Sequence, residues 1–89
     1  MDINSILNER EQTHGSFKDF SKINQELKGV LHSCATWNSL SDSQKEALEM
    51  IMYKVSRIMN GKADYPDHWL DVAGYATLIK NELEKNYRN

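Results

Sequence analysis

Pro66-Asp67-His68-Trp69-Leu70-Asp71-Val72-Ala73-Gly74-Tyr75-Ala76 reads as the opening of an amphipathic helix. Proline suits the first helical position, where a missing N–H costs nothing. At about 100° per residue, Asp67 and Asp71 project from one side and Tyr75 follows one turn after Asp71. Val72, Ala76, Ile79 and Leu83 form an apolar stripe beside them, and the pattern continues to about Asn86. A carboxylate on the border between water and an apolar core is a usual place for an oxygen-seeking cation such as Mg²⁺.

Reading backwards from Pro66, Lys62 to Tyr65 is a short connection and Gly61 is the expected left-handed stop of a preceding helix. That helix opens at Ser41-Asp42-Ser43-Gln44, a capping-box signature, and runs to about Asn60. Leu48, Ile51, Met52, Val55, Ile58 and Met59 make its apolar stripe. Thr36 to Leu40 reads as a loop. Ser16 is a good N-cap for a second helix reaching about Cys34, with Phe17, Phe20, Ile23, Leu27, Val30, Leu31 and Cys34 on one face. Gly29 inside it costs up to about 1 kcal/mol relative to alanine, which a close-passing neighbour helix would explain. Asp2 to about Arg10 forms a short first helix, broken by Glu11-Gln12-Thr13-His14-Gly15. The expected fold is all-α: a small four-helix bundle with a short first helix, one domain over residues 1–89.

Composition narrows the function classes. A net charge of −2 and a pI near 5.9 argue against a general nucleic-acid binder or an anionic-membrane binder. No apolar run approaches a membrane span, and the N-terminus lacks the apolar segment of a signal peptide. Cys34 is the single cysteine, so neither an internal disulfide nor a cysteine zinc site is available, which fits a reducing cytoplasm. A chain of 89 residues often gains stability by oligomerising, and a homo-oligomer is the expected state.

The third helix carries Glu46 and Glu49 at i, i+3, then Lys54 and Arg57 at the same spacing. Carboxylates followed by cations suit a metal and a polyphosphate respectively. Yet Glu46, Glu49, Tyr53 and Arg57 lie nearly opposite the apolar stripe, and spacing alone makes them a solvated face with pairing along the helix. A second helix or subunit packed on that face would turn it into a site. Asp71, Asp67 and His68 could join a metal set, although a first-turn carboxylate also simply complements the helix dipole. His14 beside Gly15, and Tyr75, are further candidates for ligand contact. Trp69, Cys34 and the methionines read as core. There is no glycine-rich phosphate loop, nucleophile elbow or His-Glu-x-x-His motif, so any catalysis would be metal-assisted.

Asn8-Glu9-Arg10, Thr13-His14-Gly15-x-Phe17, Glu46-Ala47-Leu48-Glu49-Met50-Ile51, Lys54-x-x-Arg57-Ile58 and Asp67-x-Trp69-x-Asp71-Val72-Ala73-Gly74-Tyr75-Ala76 together resemble a family of small phage and prophage proteins. In its third and fourth helices the chain is also distantly similar to the all-α, MazG-like nucleoside triphosphate pyrophosphohydrolases. The resemblance implies Mg²⁺ held by a Glu-x-x-Glu pair, here Glu46 and Glu49, and by a Glu-x-x-Asp pair on the next helix. At that second pair the chain has His68-x-x-Asp71, with Asp67 one residue earlier, and Lys45 stands where a further glutamate would precede Glu46. Lys54 and Arg57 would contact phosphates. The implied function is binding, and hydrolysis, of a nucleoside triphosphate in the cytoplasm of a phage's host. The alternative is a non-catalytic phage accessory protein that inhibits a host defence factor, as an anti-CRISPR does.

Overall fold

The computed structural model describes residues 2–88 and contains four α-helices: α1 (Ile3–His14), α2 (Phe17–Ser33), α3 (Asp42–Asn60) and α4 (Pro66–Arg88). The fold is all-α, as its patterning requires. The caps anticipated at two helix starts are present. Ser16 Oγ accepts from Asp19 N–H, and Ser41 and Gln44 form a reciprocal capping box.

Three boundaries differ from the sequence reading. Helix α1 continues through Glu11-Gln12-Thr13 to His14, because none of these residues breaks a helix and the stop is Gly15, with φ of 75°. Residues 35–39 form a 3₁₀ helix (Ala35–Ser39) rather than an irregular loop. Gly61 ends α3 at φ −143°, which is not the left-handed conformation expected of it.

Helix α3 is the spine. It packs along α4 on one side and α2 on another, while α1 touches both α2 and α3. The face of α3 opposite its apolar stripe is therefore only partly solvated: α2 covers it at Glu49, Tyr53 and Arg57, which are half-buried, while Glu46 stays exposed. The Phe20 ring meets Tyr53 edge-on at 5.0 Å, and His32 Nε2 lies 3.1 Å from Glu49 Oε2 further along. This single-chain packing does what the sequence reading left to a neighbouring helix or subunit. Among the described residues, no comparable packing joins α2 to α4. The result is an open, elongated arrangement, 52 × 26 × 23 Å, with a radius of gyration of 15.6 Å. A compact domain of this length would have roughly 12 Å.

The core is correspondingly thin. Phe20, Ala47 and Ile58 are its buried apolar residues, and Asn24, Ser56 and His68 are buried polar ones. Ser56 sits where α3 is enclosed and returns its hydroxyl to Met52 C=O at 2.8 Å. Several residues expected in the core are outside it. Met59 and Trp69 are exposed, and the Trp69 indole N–H donates to Ala63 C=O at 2.8 Å. Cys34 is exposed and caps the end of α2. A side chain at Gly29 would meet nothing within 4 Å, so no neighbouring helix passes close there.

Candidate functional site

Two turns distant in sequence lock together at one end of the molecule. Asn60, the last residue of α3, donates its amide N–H groups to His14 C=O at 3.0 Å and to Ser16 C=O at 2.9 Å. Lys62 N–H donates to Thr13 C=O at 3.2 Å. The approach is so close that a Cβ on Gly61 would lie 2.6 Å from both His14 Cα and Thr13 O. A Cβ on Gly15 would collide with the Asn60 carbonyl. Glycine is required at both positions, at Gly61 for space and at Gly15 also for its positive φ.

This junction holds His14, at the end of α1, against the start of α4. The His14 and His68 ring centroids are 5.3 Å apart, and Tyr65 stands edge-on to both, at 5.9 and 4.9 Å. His68 is only 4% exposed, and neither of its ring nitrogens has a hydrogen-bond partner. The His14 Nδ1 is also buried and unpartnered. Buried polar atoms of this kind are uncommon, and each ordinarily costs about 1–3 kcal/mol.

Cations flank the two imidazoles. Lys54 Nζ of α3 lies 3.0 Å from Asp71 Oδ2 of α4; the lysine side chain is 18% exposed and the aspartate 43%. Arg57 stacks over Phe20 at 4.2 Å and donates to the Tyr53 hydroxyl at 2.8 Å. Burial, and then the charges of Arg57 and Lys54, push the pKa of His14 below its ordinary 6.5. Burial pushes His68 down as well, with Lys54 and Arg57 adding to the effect and Asp71 and Asp67 partly opposing it. Both rings are therefore held neutral in a field that favours an incoming negative charge. The corner also abuts the N-terminal turn of α4, whose dipole has the same preference.

Of the residues singled out from sequence, His14, Lys54, Arg57, His68 and Asp71 come together here from three helices. Asp67 lies exposed in the first turn of α4. Glu46 and Glu49 are directed elsewhere. Glu49 pairs with His32 of α2, whereas Glu46 is exposed and lines a shallow groove with Asp42, Tyr75 and Glu82. Tyr75 is half-buried beside that groove. Among the described residues, no three His, Cys, Asp or Glu side chains gather to hold a metal ion. Sequence reasoning missed Tyr65 and Asn60. Asn60 acts across more than forty residues, which periodicity does not register, and Tyr65 carries no signal in the connection it occupies.

The model of a domain of unknown function, DUF6378, matches residues 3–83, and the chain belongs to that family. The matched region contains every residue of the basic corner. No curated protein and no solved structure matches the chain. No described helix is long and apolar enough to cross a membrane.

Proposed function

We propose that this protein binds a nucleoside triphosphate, as its Mg²⁺ complex, in the corner between the α1–α2 turn and the start of α4. The observation that carries the reading is the buried His68. Both its nitrogens are unpartnered, and it lies within the field of Lys54 and Arg57 and beside His14. Phosphate oxygens accept hydrogen bonds from all four side chains, and the imidazoles gain protons as negative charge arrives. The distant resemblance of the third and fourth helices to MazG-like pyrophosphohydrolases supports the choice of a triphosphate and of hydrolysis as the reaction.

A three-residue metal cage is not needed for such a ligand. Mg²⁺ commonly uses one or two protein carboxylates, with the triphosphate and water supplying the rest. Asp71, nearly half open to solvent and adjoining Lys54, is the carboxylate at this corner, with Asp67 one turn earlier. When bound, the ion would neutralise the triphosphate and favour ionisation of a water. Glu46 and Glu49 lie apart from this corner and are the weaker part of the set.

Calorimetric titration with a panel of dNTPs and NTPs in Mg²⁺ or Mn²⁺, run beside a pyrophosphate-release assay, tests the reading. Binding that is lost in Lys54→Met and His68→Gln supports it. Absence of binding by the wild type overturns it and leaves the non-catalytic interaction protein as the better account.

A further inference from the structure

Helix α4 carries two apolar stripes, of which only one meets the rest of the chain. Val72, Tyr75 and Ile79 turn inward and are half-buried. On the other side Leu70, Ala73, Gly74, Thr77, Leu78 and Asn81 recur at i, i+3, i+4, i+7, i+8 and i+11, an uninterrupted helical face without a charge. All six are exposed, Leu70 at 69% and Leu78 at 64%. The first five line a shallow groove whose surface is mostly apolar. At its centre are the small residues Ala73, Gly74 and Thr77, and a Cβ on Gly74 would meet nothing within 4 Å. Small side chains there let another helix backbone come close.

We infer that this outer face of α4 is the docking surface for a second copy of the chain, with the two α4 helices antiparallel. Two further observations identify the occupant. First, the accessible surface of the chain is 6666 Å². A compact monomer of this mass would expose roughly 5,400 Å². The excess, spread over the whole elongated chain, is about 1,300 Å² per copy; stable homodimer interfaces begin near 1,200 Å² in total, about 600 Å² per copy, so a fraction of it on the α4 face suffices. Secondly, the uncharged stripe ends on charges of opposite sign. Asp67 lies on the same side, one turn before Leu70, and Lys85 one turn after Asn81. Antiparallel pairing centred near Ala76 sets Asp67 beside the partner's Lys85, and the two-fold axis makes the contact twice. Parallel pairing would instead oppose like charges at both ends.

The surface borders the imidazole corner at Asp67 and Asp71, but its test is read as chain mass without any nucleotide or metal and so does not depend on nucleotide binding. Sedimentation of the full chain at high-micromolar concentration should give twice the 10.3 kDa chain mass. Leu70→Glu with Leu78→Glu should give the monomer mass, with an unchanged helical circular-dichroism spectrum, since neither side chain is buried. Asp67→Lys should weaken association at least several-fold, and adding Lys85→Asp should restore it. A wild-type chain that sediments as a monomer overturns the inference. So does a dimer indifferent to both the leucine and the charge substitutions, since its interface would lie elsewhere.

Discussion

The Asn60 side chain bridges the backbone on either side of Gly15, donating to His14 C=O at 3.0 Å and Ser16 C=O at 2.9 Å. One residue at the end of α3 thus fixes where α1 stops and where α2 begins. His14 owes its place beside His68 to that bridge rather than to packing of α1, which buries no residue.

Asn60→Ala removes both hydrogen bonds and should destabilise the fold by about 1–3 kcal/mol, at about 0.5–1.5 kcal/mol per bond. Gly61→Ala should be at least as damaging, because its Cβ would meet His14 Cα and Thr13 O at 2.6 Å. Urea melts followed by circular dichroism measure both. Wild-type midpoints in either variant would show that the two turns are not coupled as described.

Stability should fall as the solution is acidified. His14 and His68 both have folded-state pKa values below 6.5, so the unfolded chain binds more protons as pH drops through that value. The loss should begin near pH 7 and level off once pH is below the depressed folded values. Thermal melts across pH 7.5 to 5 should show it, and the double variant His14→Gln, His68→Gln should have a flatter profile. A bound phosphate compound should oppose the effect, because it stabilises the protonated rings. Its affinity should therefore rise between pH 7.5 and 6.

Lys54→Met and Asp71→Asn separate structural from ligand roles at the ion pair. A half-open pair contributes little, so Lys54→Met should change stability by less than about 1 kcal/mol. Asp71 lies beyond the first turn of α4, so Asp71→Asn loses only the same half-open ion pair and should likewise cost less than about 1 kcal/mol. Both should nevertheless lower affinity for a Mg²⁺–triphosphate at least tenfold. Melts together with calorimetry check both quantities.

Gly29→Ala should stabilise the protein by about 0.4–1 kcal/mol. The position is inside α2, and the new methyl group meets nothing within 4 Å. A lower melting temperature would mean that something approaches α2 there in solution.

Helix identity was legible throughout, because periodicity and caps are local. Ser16, Ser41 and Gln44 act within one turn of themselves, and each does what its type and spacing imply. Two local features were missed, the run of α1 on to His14 and the 3₁₀ turn of Ala35–Ser39, and the larger failures all depend on a neighbour. The charged face of α3 reads as solvent-facing on a helical wheel, yet α2 brings Phe20 and His32 onto it. Gly61 reads as a left-handed stop, but it is small because the α1–α2 turn presses on it. The site was legible in part for the same reason. Histidine, lysine, arginine and aspartate could be named as candidates by type, whereas their grouping without Glu46 and Glu49 is a property of packing. The outward stripe of α4 escaped notice because Ala73, Gly74 and Thr77 are too weakly apolar to stand out beside Val72 and Ile79.

The Asn60 bridge also sets an order of events in time. Its partners are separated by 44 and 46 residues, so it closes a long loop, and the entropy of that closure must be met before the contact is gained. With no buried side chain of its own, α1 should fold last and open first, as a unit held by a few backbone carbonyls. Amide protons of α1 should exchange with solvent well before those of α3, and each opening would carry His14 away from His68. A ligand that grips both histidines would close this excursion, and its arrival would be recorded as slowed exchange in a helix that the ligand touches only at its last residue.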